Sequence, residues 1–279
     1  MAPQGAWLVE YGHVARHPAE GFLSGAAGAG GTPFCFAVLA SRDTVMLIDA
    51  GFSAPFHQRR LSDKHGGGRW IAPVDAIARL GFPADAVETI VLTHKHFDHA
   101  GAVADFPRAE VVLQRAEIER HRQAITDPTR FAAELRATDP DLLETLARCR
   151  LRLVDGPGTA GPVRLHPAAD THTPGSQYAV LDTTDGPLVF AGDNVSVYQN
   201  VEGDGQRRPP LPIGSLTGPV ENWLALAREL TAVVGTDTRR IIPFHDDAVW
   251  LRYPTVTLPD TLRVAALTAA TPLPAENAL

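Results

Sequence analysis

The stretch Thr93-His94-Lys95-His96-Phe97-Asp98-His99-Ala100-Gly101 is the most informative part of this 279-residue chain. It reads H-x-H-x-D-H and follows Glu88-Thr89-Ile90-Val91-Leu92, a short apolar run of the kind that forms a buried strand. Imidazole nitrogens and carboxylate oxygens are ligands that suit a borderline-soft divalent ion such as Zn²⁺. The motif therefore predicts four metal-binding side chains at the turn that ends a strand.

These four side chains can serve two metal sites. Alternation along an extended turn sends His94 and His96 to one side, whereas the tighter Asp98-His99 pair can face a second point nearby. A dinuclear site needs further ligands, and three later residues next to strand-like runs are candidates. They are His172 in Thr171-His172-Thr173-Pro174-Gly175, Asp193 after Leu188-Val189-Phe190-Ala191-Gly192, and His245 after Ile241-Ile242-Pro243-Phe244.

The order of these motifs resembles that of the metallo-β-lactamase superfamily of hydrolases, from about residue 45 to about residue 245. The resemblance implies two divalent metal ions as cofactors, with Zn²⁺ the expected metal. One ion would be held by His94, His96 and His172, the other by Asp98, His99 and His245, and Asp193 would bridge them. The stretch Val45-Met46-Leu47-Ile48-Asp49-Ala50-Gly51 resembles the family's Asp-x-Gly turn, in which Asp49 would support the ligating histidines.

Within the superfamily, three segments are most similar to the N-acyl homoserine lactonase branch: Phe34-Cys35-Phe36-Ala37-Val38-Leu39, His172-Thr173-Pro174-Gly175-Ser176-Gln177-Tyr178 and Gly192-Asp193-Asn194-Val195. The lactonases carry a tyrosine three residues after the bridging aspartate, where it helps to bind the substrate carbonyl. Here that position is Ser196, and the nearest tyrosine is Tyr198. The resemblance therefore implies a lactone substrate, with Ser196 or Tyr198 offering a hydroxyl to the carbonyl oxygen.

The expected reaction is the opening of a lactone by a metal-bridging hydroxide, after which Asp98 returns the proton to the leaving alkoxide. A thioesterase or glyoxalase-II-like hydrolase is the alternative, although the sequence shows no basic cluster suited to glutathione or coenzyme A. A redox di-iron protein is less favoured, because such relatives usually carry a glutamate ligand and a flavin domain. A non-catalytic binding module is least favoured, because all seven expected ligands are present.

Composition narrows the partners to a small molecule. The formal net charge is -7, and the basic pairs Arg59-Arg60, Arg207-Arg208 and Arg239-Arg240 are dispersed, which disfavours nucleic acid as a partner and a nuclease as the function. The two cysteines, Cys35 and Cys149, are far apart and predict no disulfide framework. Without a signal-peptide pattern or an apolar run of about 20 residues, we expect a cytoplasmic protein with no membrane segment. Oligomerisation stays open.

The predicted fold is α/β, an αββα sandwich of two mixed sheets between helical layers, because two series of strand-like runs alternate with helical segments. The metal motifs span residues 94–245, so we expect a single domain over residues 1–279. Residues 114–150 predict a helical cap insertion over the substrate pocket. Residues 21–31 and 53–70 predict flexible loops, either of which could be a lid. The other histidines are predicted at the surface or at caps, with His57 and His65 inside the second of these loops: His13, His17, His57, His65, His121 and His166.

Overall fold

The computed structural model describes residues 5–41, 44–135, 137–168, 170–206 and 210–275, so the predicted Arg207-Arg208 pair lies outside the described residues. Two β-sheets form its centre. The strands are β1 (Gly5–Pro18), β2 (Ala29–Ala40), β3 (Val45–Ile48), β4 (Gly68–Trp70), β5 (Val87–Val91), β6 (Glu110–Gln114), β7 (Arg150–Val154), β8 (Gly158–Ala160), β9 (Val163–Pro167), β10 (Gln177–Leu181), β11 (Leu188–Phe190), β12 (Ile241–Ile242), β13 (Thr255–Leu258) and β14 (Leu262–Ala266).

Both sheets are mixed. Among the described residues, the larger sheet has the order β13-β14-β1-β2-β3-β5-β6-β7, with β4 paired to β1, and the smaller has the order β12-β11-β10-β9-β8. Strands β3, β5, β6 and β7 run parallel to one another, as do β11 and β12, and the remaining pairs are antiparallel. Parallel neighbours end at the same edge of a sheet, so the loops that follow β3, β5, β11 and β12 can converge.

Side-chain alternation explains why the two sheets pack face to face. Along β2, Phe34, Phe36 and Val38 join a core on the outer face of the larger sheet. The intervening Cys35, Ala37 and Leu39 join a second core, together with Ala179 and Leu181 of β10 in the other sheet. Strands with apolar residues on both faces must be covered on both sides. Cys35 and Cys149 are free thiols.

Helices cover the outer faces of the two sheets, which confirms the αββα prediction. They are α1 (Pro55–Lys64), α2 (Pro73–Ala78), α3 (Phe97–Ala100), α4 (Arg115–Thr126), α5 (Leu142–Arg148), α6 (Gln199–Glu202), α7 (Val220–Val234) and α8 (Val249–Arg252). Helix α7 places Leu226 and Leu230 against Val180 and Val189 of the smaller sheet. Helices α2 and α5 pack on the larger sheet. No helix in the described ranges is long and apolar enough to span a membrane.

The prediction of a flexible loop over residues 53–70 is wrong. These residues form α1 and the short strand β4, which pairs with β1. Pro55 begins the helix, and His57 and Leu61, four residues apart, are its buried positions. Only two buried side chains in ten residues give a weak apolar period, so the helix depends on packing that the local sequence does not display.

Residues 114–150 contain helices, as the sequence predicts, but the prediction that His121 lies at the surface or at a cap is wrong. The segment contains α4, a short 3₁₀ turn at Ala132–Leu135 and α5. Along α4 the buried positions are Glu117, Ile118, His121 and Ala124, a spacing of three and four that places them on one face. His121 is therefore buried and not at the surface, because it lies on the face that α4 turns towards the sheets.

Candidate metal centre

All seven predicted metal ligands lie in the segments that follow strands of the two sheets, and the structure brings them together. His94, His96, Asp98 and His99 follow β5, and Asp193 follows β11. His245 follows β12, and His172 lies in the loop between β9 and β10. The larger sheet therefore contributes the H-x-H-x-D-H motif, and the smaller sheet contributes the other three ligands.

The first cluster contains His94, His96, His172 and Asp193. Nδ1 of His96 lies 3.0 Å from Nε2 of His94 and 3.0 Å from Nε2 of His172. Nδ1 of His172 lies 3.0 Å from the carbonyl oxygen of Ser215, which leaves Nε2 of this ring facing the cluster. Three imidazole nitrogens thus converge on one point, as a metal site with N ligands requires.

The second cluster contains Asp98, His99 and His245. Oδ2 of Asp98 lies 3.7 Å from Nε2 of His99 and 3.7 Å from Nε2 of His245. Each histidine is oriented from behind through its other nitrogen: Nδ1 of His99 lies 2.7 Å from Oδ2 of Asp49, and Nδ1 of His245 lies 2.9 Å from the carbonyl oxygen of Pro33. Such contacts fix the ring orientation of a metal-binding histidine.

Asp193 lies between the two clusters. Its Oδ1 is 3.2 Å from Nε2 of His99 and 3.1 Å from Nε2 of His245, whereas its Oδ2 is 3.4 Å from Nε2 of His172. The preceding Gly192 has a φ of 53°, and a Cβ atom there would lie 2.3 Å from Oγ1 of Thr93. A glycine is therefore required for Asp193 to approach the H-x-H-x-D-H loop.

Asp49 connects the end of β3 to the metal motif. Its Oδ1 accepts a hydrogen bond of 2.7 Å from the backbone N–H of Thr93, and its Oδ2 accepts one of 2.8 Å from the Thr93 hydroxyl. Since Oδ2 also contacts His99, one fully buried carboxylate holds both ends of the motif. The structure thus places Asp49 where the family resemblance implied a supporting residue.

The protonation of the two clusters differs. Burial and the neighbouring histidines hold the pKa of His94 and of His96 well below the usual value, so these rings are neutral near pH 7, the form that can bind a metal. At His99 and His245 burial lowers the pKa, but Asp193 and Asp98 outweigh it, and the pKa of each ring is raised. The raised pKa values of His99 and His245 thus follow from the two carboxylates, Asp193 and Asp98, that lie beside these rings.

Three buried atoms lack a hydrogen-bond partner at the boundary between the clusters: Nε2 of His99, Nε2 of His245 and Oδ1 of Asp193. Buried polar atoms are normally paired, because an unpaired one costs about 1–3 kcal/mol. All three are atoms that can bind divalent metals. Oδ1 of Asp193 lies 3.2 Å from Nε2 of His99 and 3.1 Å from Nε2 of His245. The residues therefore fit divalent metal ions.

Ser196 and Tyr198, from which the sequence predicts a hydroxyl contact to the substrate, lie away from the cavity at the metal clusters. The Tyr198 side chain is 1% exposed, and its hydroxyl lies 3.3 Å from the carbonyl oxygen of Arg239. The hydroxyl of Ser196 donates to the carbonyl oxygen of Asp193 at 3.2 Å. Neither residue is among those lining the cavity at the metal clusters. The chain turns into a 3₁₀ helix at Gly192–Val195, so these side chains do not continue a strand towards the substrate.

A cavity of about 910 Å³ opens onto both clusters, and His96, Asp98, His172, Asp193 and His245 form part of its wall. Sequence reasoning missed most of the rest of this wall. Its apolar side chains come from distant parts of the chain and include Phe22, Phe34, Phe56, Leu61, Phe97 and Pro140. The ring of Phe22 stacks on that of His245, with centroids 5.1 Å apart.

Helix α1 forms one side of this cavity, and Leu135 together with residues 137–140 of the insertion forms another. They touch through His57, whose Nε2 lies 2.5 Å from Oδ1 of Asp139. The His57 ring also stacks on Phe97, with centroids 4.2 Å apart. The sequence predicted His57 at the surface or at a cap within a possible lid, whereas the structure buries it.

Comparison with known proteins agrees with this geometry. The family model of the Metallo-beta-lactamase superfamily matches residues 30–245. The chain belongs to the metallo-β-lactamase superfamily. The matched region contains all seven residues of the two clusters.

Similarity to individual curated proteins extends over short segments of the chain. The chain is 46% identical over 46 residues to the N-acyl homoserine lactonase AttM of Rhizobium johnstonii, which covers 16% of this chain and 18% of that protein. It is 37% identical over 70 residues to a probable metallo-hydrolase of Mycobacterium bovis, which covers 24% of this chain and 23% of that protein. The chain thus spans less than a quarter of the length of these relatives.

Solved structures show the same fold over nearly the whole chain. An N-acyl homoserine lactone hydrolase with the product N-hexanoyl-L-homoserine at its catalytic metal centre superposes with a TM-score of 0.70, at 19% identity over 91% of this chain and 98% of that chain. AidC, a dizinc quorum-quenching lactonase, superposes with a TM-score of 0.62, at 16% identity over 92% of each chain. At these identities the likeness establishes the fold.

Proposed function

We propose that this protein is a metal-dependent hydrolase that opens lactones and uses two divalent ions, with Zn²⁺ as the proposed metal. The observation that carries the proposal is the position of Asp193, whose two carboxylate oxygens face two separate histidine clusters. A carboxylate in this position can bridge two ions. When bound, such ions activate water as a nucleophile and polarise a substrate carbonyl.

Asp98 is the proposed proton carrier. Its side chain is partly exposed, lines the cavity and lies beside the second cluster, so it can reach both the site and a bound substrate. Lactone opening produces an alkoxide that must be protonated, and a carboxyl group held next to it can act as the general acid. The hydroxyl of Tyr11, which donates to the backbone oxygen of Asp98 at 2.8 Å, fixes the position of this residue.

The cavity suits an ester with an apolar substituent. Its volume of about 910 Å³ lies within the range that accommodates small-molecule ligands. The rings of Phe22 and Phe34 both contact that of His245, while Phe56, Leu61 and Phe97 form a wall on the side of α1. The similarity to an N-acyl homoserine lactonase, an N-acyl homoserine lactone hydrolase and a quorum-quenching lactonase supports a lactone with an acyl chain as substrate.

Thioester hydrolysis is the second candidate. Arg60 and Lys64 line the cavity, although the sequence alone showed no basic cluster that could receive the carboxylates of a thioester such as a glutathione conjugate. The lactone is preferred because more apolar side chains than cationic side chains line the cavity. We also propose that residues 1–279 act as one domain, with residues 114–150 as a cap.

The test is a substrate panel on protein purified without chelator and reconstituted with Zn²⁺. A pH-stat follows acid release from N-acyl homoserine lactones, simple γ-lactones, thioesters and a β-lactam, and protein stripped of metal with a chelator is the control for metal-independent hydrolysis. We expect the acyl homoserine lactones to have the highest kcat/KM. A thioester that is hydrolysed faster than every lactone would replace the first candidate by the second.

A further inference from the structure

Glu117 is a buried carboxylate that the proposed chemistry does not use. It lies in the first turn of α4, and its side chain is 0% exposed. Its Oε1 accepts a hydrogen bond of 3.1 Å from the backbone N–H of Lys95, and its Oε2 accepts one of 2.8 Å from the backbone N–H of Gly175. The Lys95 ammonium, also fully buried, lies 3.6 Å from Oε1 and supplies the opposite charge.

The two backbone groups that Glu117 binds belong to the two loops of the first metal cluster. Lys95 lies between His94 and His96, and Gly175 lies three residues after His172. A single carboxylate thus spans the H-x-H segment from the larger sheet and the His172 turn from the smaller sheet. These two loops carry the nitrogens that meet in the first cluster: Nε2 of His94 and Nε2 of His172 each lie 3.0 Å from Nδ1 of His96.

The contact between α4 and the His172 turn is too close for any residue except glycine. A Cβ atom at position 175 would lie 2.2 Å from the backbone nitrogen of Glu117 and 2.6 Å from its Cα. The approach therefore fixes the distance between the helix and the turn. The second cluster has separate supports, because Asp49 contacts His99 and the carbonyl oxygen of Pro33 contacts His245.

We propose that Glu117 is a positioning residue that holds His94, His96 and His172 in register for the first metal ion. Removal of its charge frees the two loops from each other, and the affinity of the first site falls. The second site keeps its own supports. In other metalloproteins, mutation of a supporting contact of this kind typically lowers metal affinity by roughly 10- to 100-fold.

The experiment measures the two stepwise metal dissociation constants by competition with a chromophoric chelator. His96→Ala and His245→Ala proteins identify which constant belongs to which site. We expect Glu117→Gln to weaken the first site by about 10- to 100-fold and to leave the second within about threefold. Glu119→Gln, an exposed change in the same helix, is the matched control and leaves both constants unchanged.

A second variant protects the test against misfolding. Gly175→Ala separates α4 from the His172 turn without touching the buried charges, and it should weaken the same site. Excess Zn²⁺ should return the kcat of Glu117→Gln towards that of the wild type, because a positioning residue takes no part in the chemistry. Equal weakening of both sites in the two variants, or unchanged affinity, overturns the proposal.

A different observation concerns the cavity wall on α1. Arg60 and Lys64 are one helical turn apart, both are exposed, and both line the cavity. The Arg60 guanidinium carbon lies 5.5 Å from the centre of the Phe97 ring and 6.0 Å from that of Phe56. Two cations therefore lie beside the apolar wall, close to Phe97, the residue that precedes Asp98.

Neither cation has an acidic partner among the described residues. The carboxylates that line the same cavity are engaged elsewhere: Asp98 and Asp193 with the histidine clusters, and Asp139 with His57. The nearby His17 adds no charge near pH 7, because burial lowers its pKa to about 4. The rim is thus positive in a chain whose net charge is -7.

We infer that this rim is a subsite for a carboxylate at the far end of the substrate's acyl chain. The inference rests on the proposed lactonase function and names its substrate class: a lactone whose apolar acyl group ends in an anion. The aromatic wall would hold the methylene groups, and Arg60 and Lys64 would hold the terminal carboxylate.

Two lactones that differ only at the end of the acyl chain test this subsite: N-hexanoyl homoserine lactone and its N-adipoyl analogue, which ends in a carboxylate. We expect the wild type to favour the adipoyl compound by about 3- to 30-fold in kcat/KM, as two partly exposed ion pairs allow. Arg60→Ala with Lys64→Ala should remove this preference, and added salt should reduce it. Arg59→Ala, on the same helix but outside the cavity wall, is the control.

Calorimetric binding of both compounds separates the subsite from the reaction. If neither lactone is opened, the proposed function fails, yet tighter binding of the adipoyl compound that is lost in the double variant still supports the subsite. Equal kcat/KM and equal binding of the two compounds in the wild type overturn the subsite and leave the lactonase function standing. A loss in the Arg59→Ala control as large as in the double variant also overturns it.

Discussion

Nδ1 of His99 lies 2.7 Å from Oδ2 of Asp49, and both side chains are fully buried. The same carboxylate accepts two hydrogen bonds from Thr93. Because β3 and β5 are parallel neighbours, the loops after them start side by side, and Asp49 reaches across from one to the other. The orientation of His99 is therefore set by the pairing of two strands.

Asp49→Asn should weaken the second metal site by about 10- to 100-fold. The amide is uncharged and has a single acceptor oxygen, so it cannot replace all the contacts that the carboxylate makes with Thr93 and His99. Chelator competition measures the change. The exposed Asp63→Asn on α1 is the control. An unchanged dissociation constant in Asp49→Asn would contradict the role of this residue.

The bridging position of Asp193 predicts about two metal ions per chain after reconstitution. Elemental analysis of the wild type should give a ratio near two, and His245→Ala should reduce it towards one. Chelation should abolish hydrolysis, and Zn²⁺ should restore it. A wild-type ratio that stays near one argues against a dinuclear site.

Asp98→Asn should reduce kcat by about 10²- to 10⁴-fold, because the variant loses the proposed proton carrier. The first cluster keeps His94, His96 and His172, so the protein should still bind one ion. Metal content and kcat are measured on the same preparation. Wild-type turnover in this variant would show that the proton takes another route.

Tyr198→Phe and Ser196→Ala should leave kcat/KM within about twofold of the wild type, because neither hydroxyl reaches the cavity. Tyr198→Phe should lower the free energy of unfolding by about 1 kcal/mol, the usual contribution of one hydrogen bond. Chemical denaturation and lactone kinetics measure the two effects. A parallel fall in kcat and kcat/KM for either variant would restore the substrate contact expected from the sequence.

Phe56→Ala should raise KM for lactones with longer acyl chains by about 3- to 10-fold, through the loss of apolar contact at the cavity wall. Its side chain is 60% exposed, so stability should not change. Leu251→Ala, with a side chain that is 90% exposed and lies outside the cavity wall, is the control. A KM that does not depend on chain length would place the acyl group elsewhere.

Sequence patterns with a local cause were predictable. Apolar runs indicated strands, and the alternation of two series of such runs with helical segments predicted the αββα arrangement that the two sheets and their helices form. The seven candidate ligands could be found because each lies within a few residues of a strand-like run. Ser196 and Tyr198 lie away from the cavity because the strand ends at Phe190 and the chain then turns into the 3₁₀ helix Gly192–Val195, where Gly192 has a positive φ.

The sequence by itself determined the strands next to the candidate ligands, the segments that carry these ligands and their chemical class, because these depend on periodicity and on residue type. Only the tertiary structure decided which loops meet. The contacts of Asp49 with His99 and of Glu117 with Lys95 and Gly175 join residues 22 to 58 positions apart. The folding of α1 along the cavity was likewise hidden, since its two buried residues gain their stability from partners elsewhere in the chain. Such contacts arise from strand pairing and packing, and no local pattern encodes them.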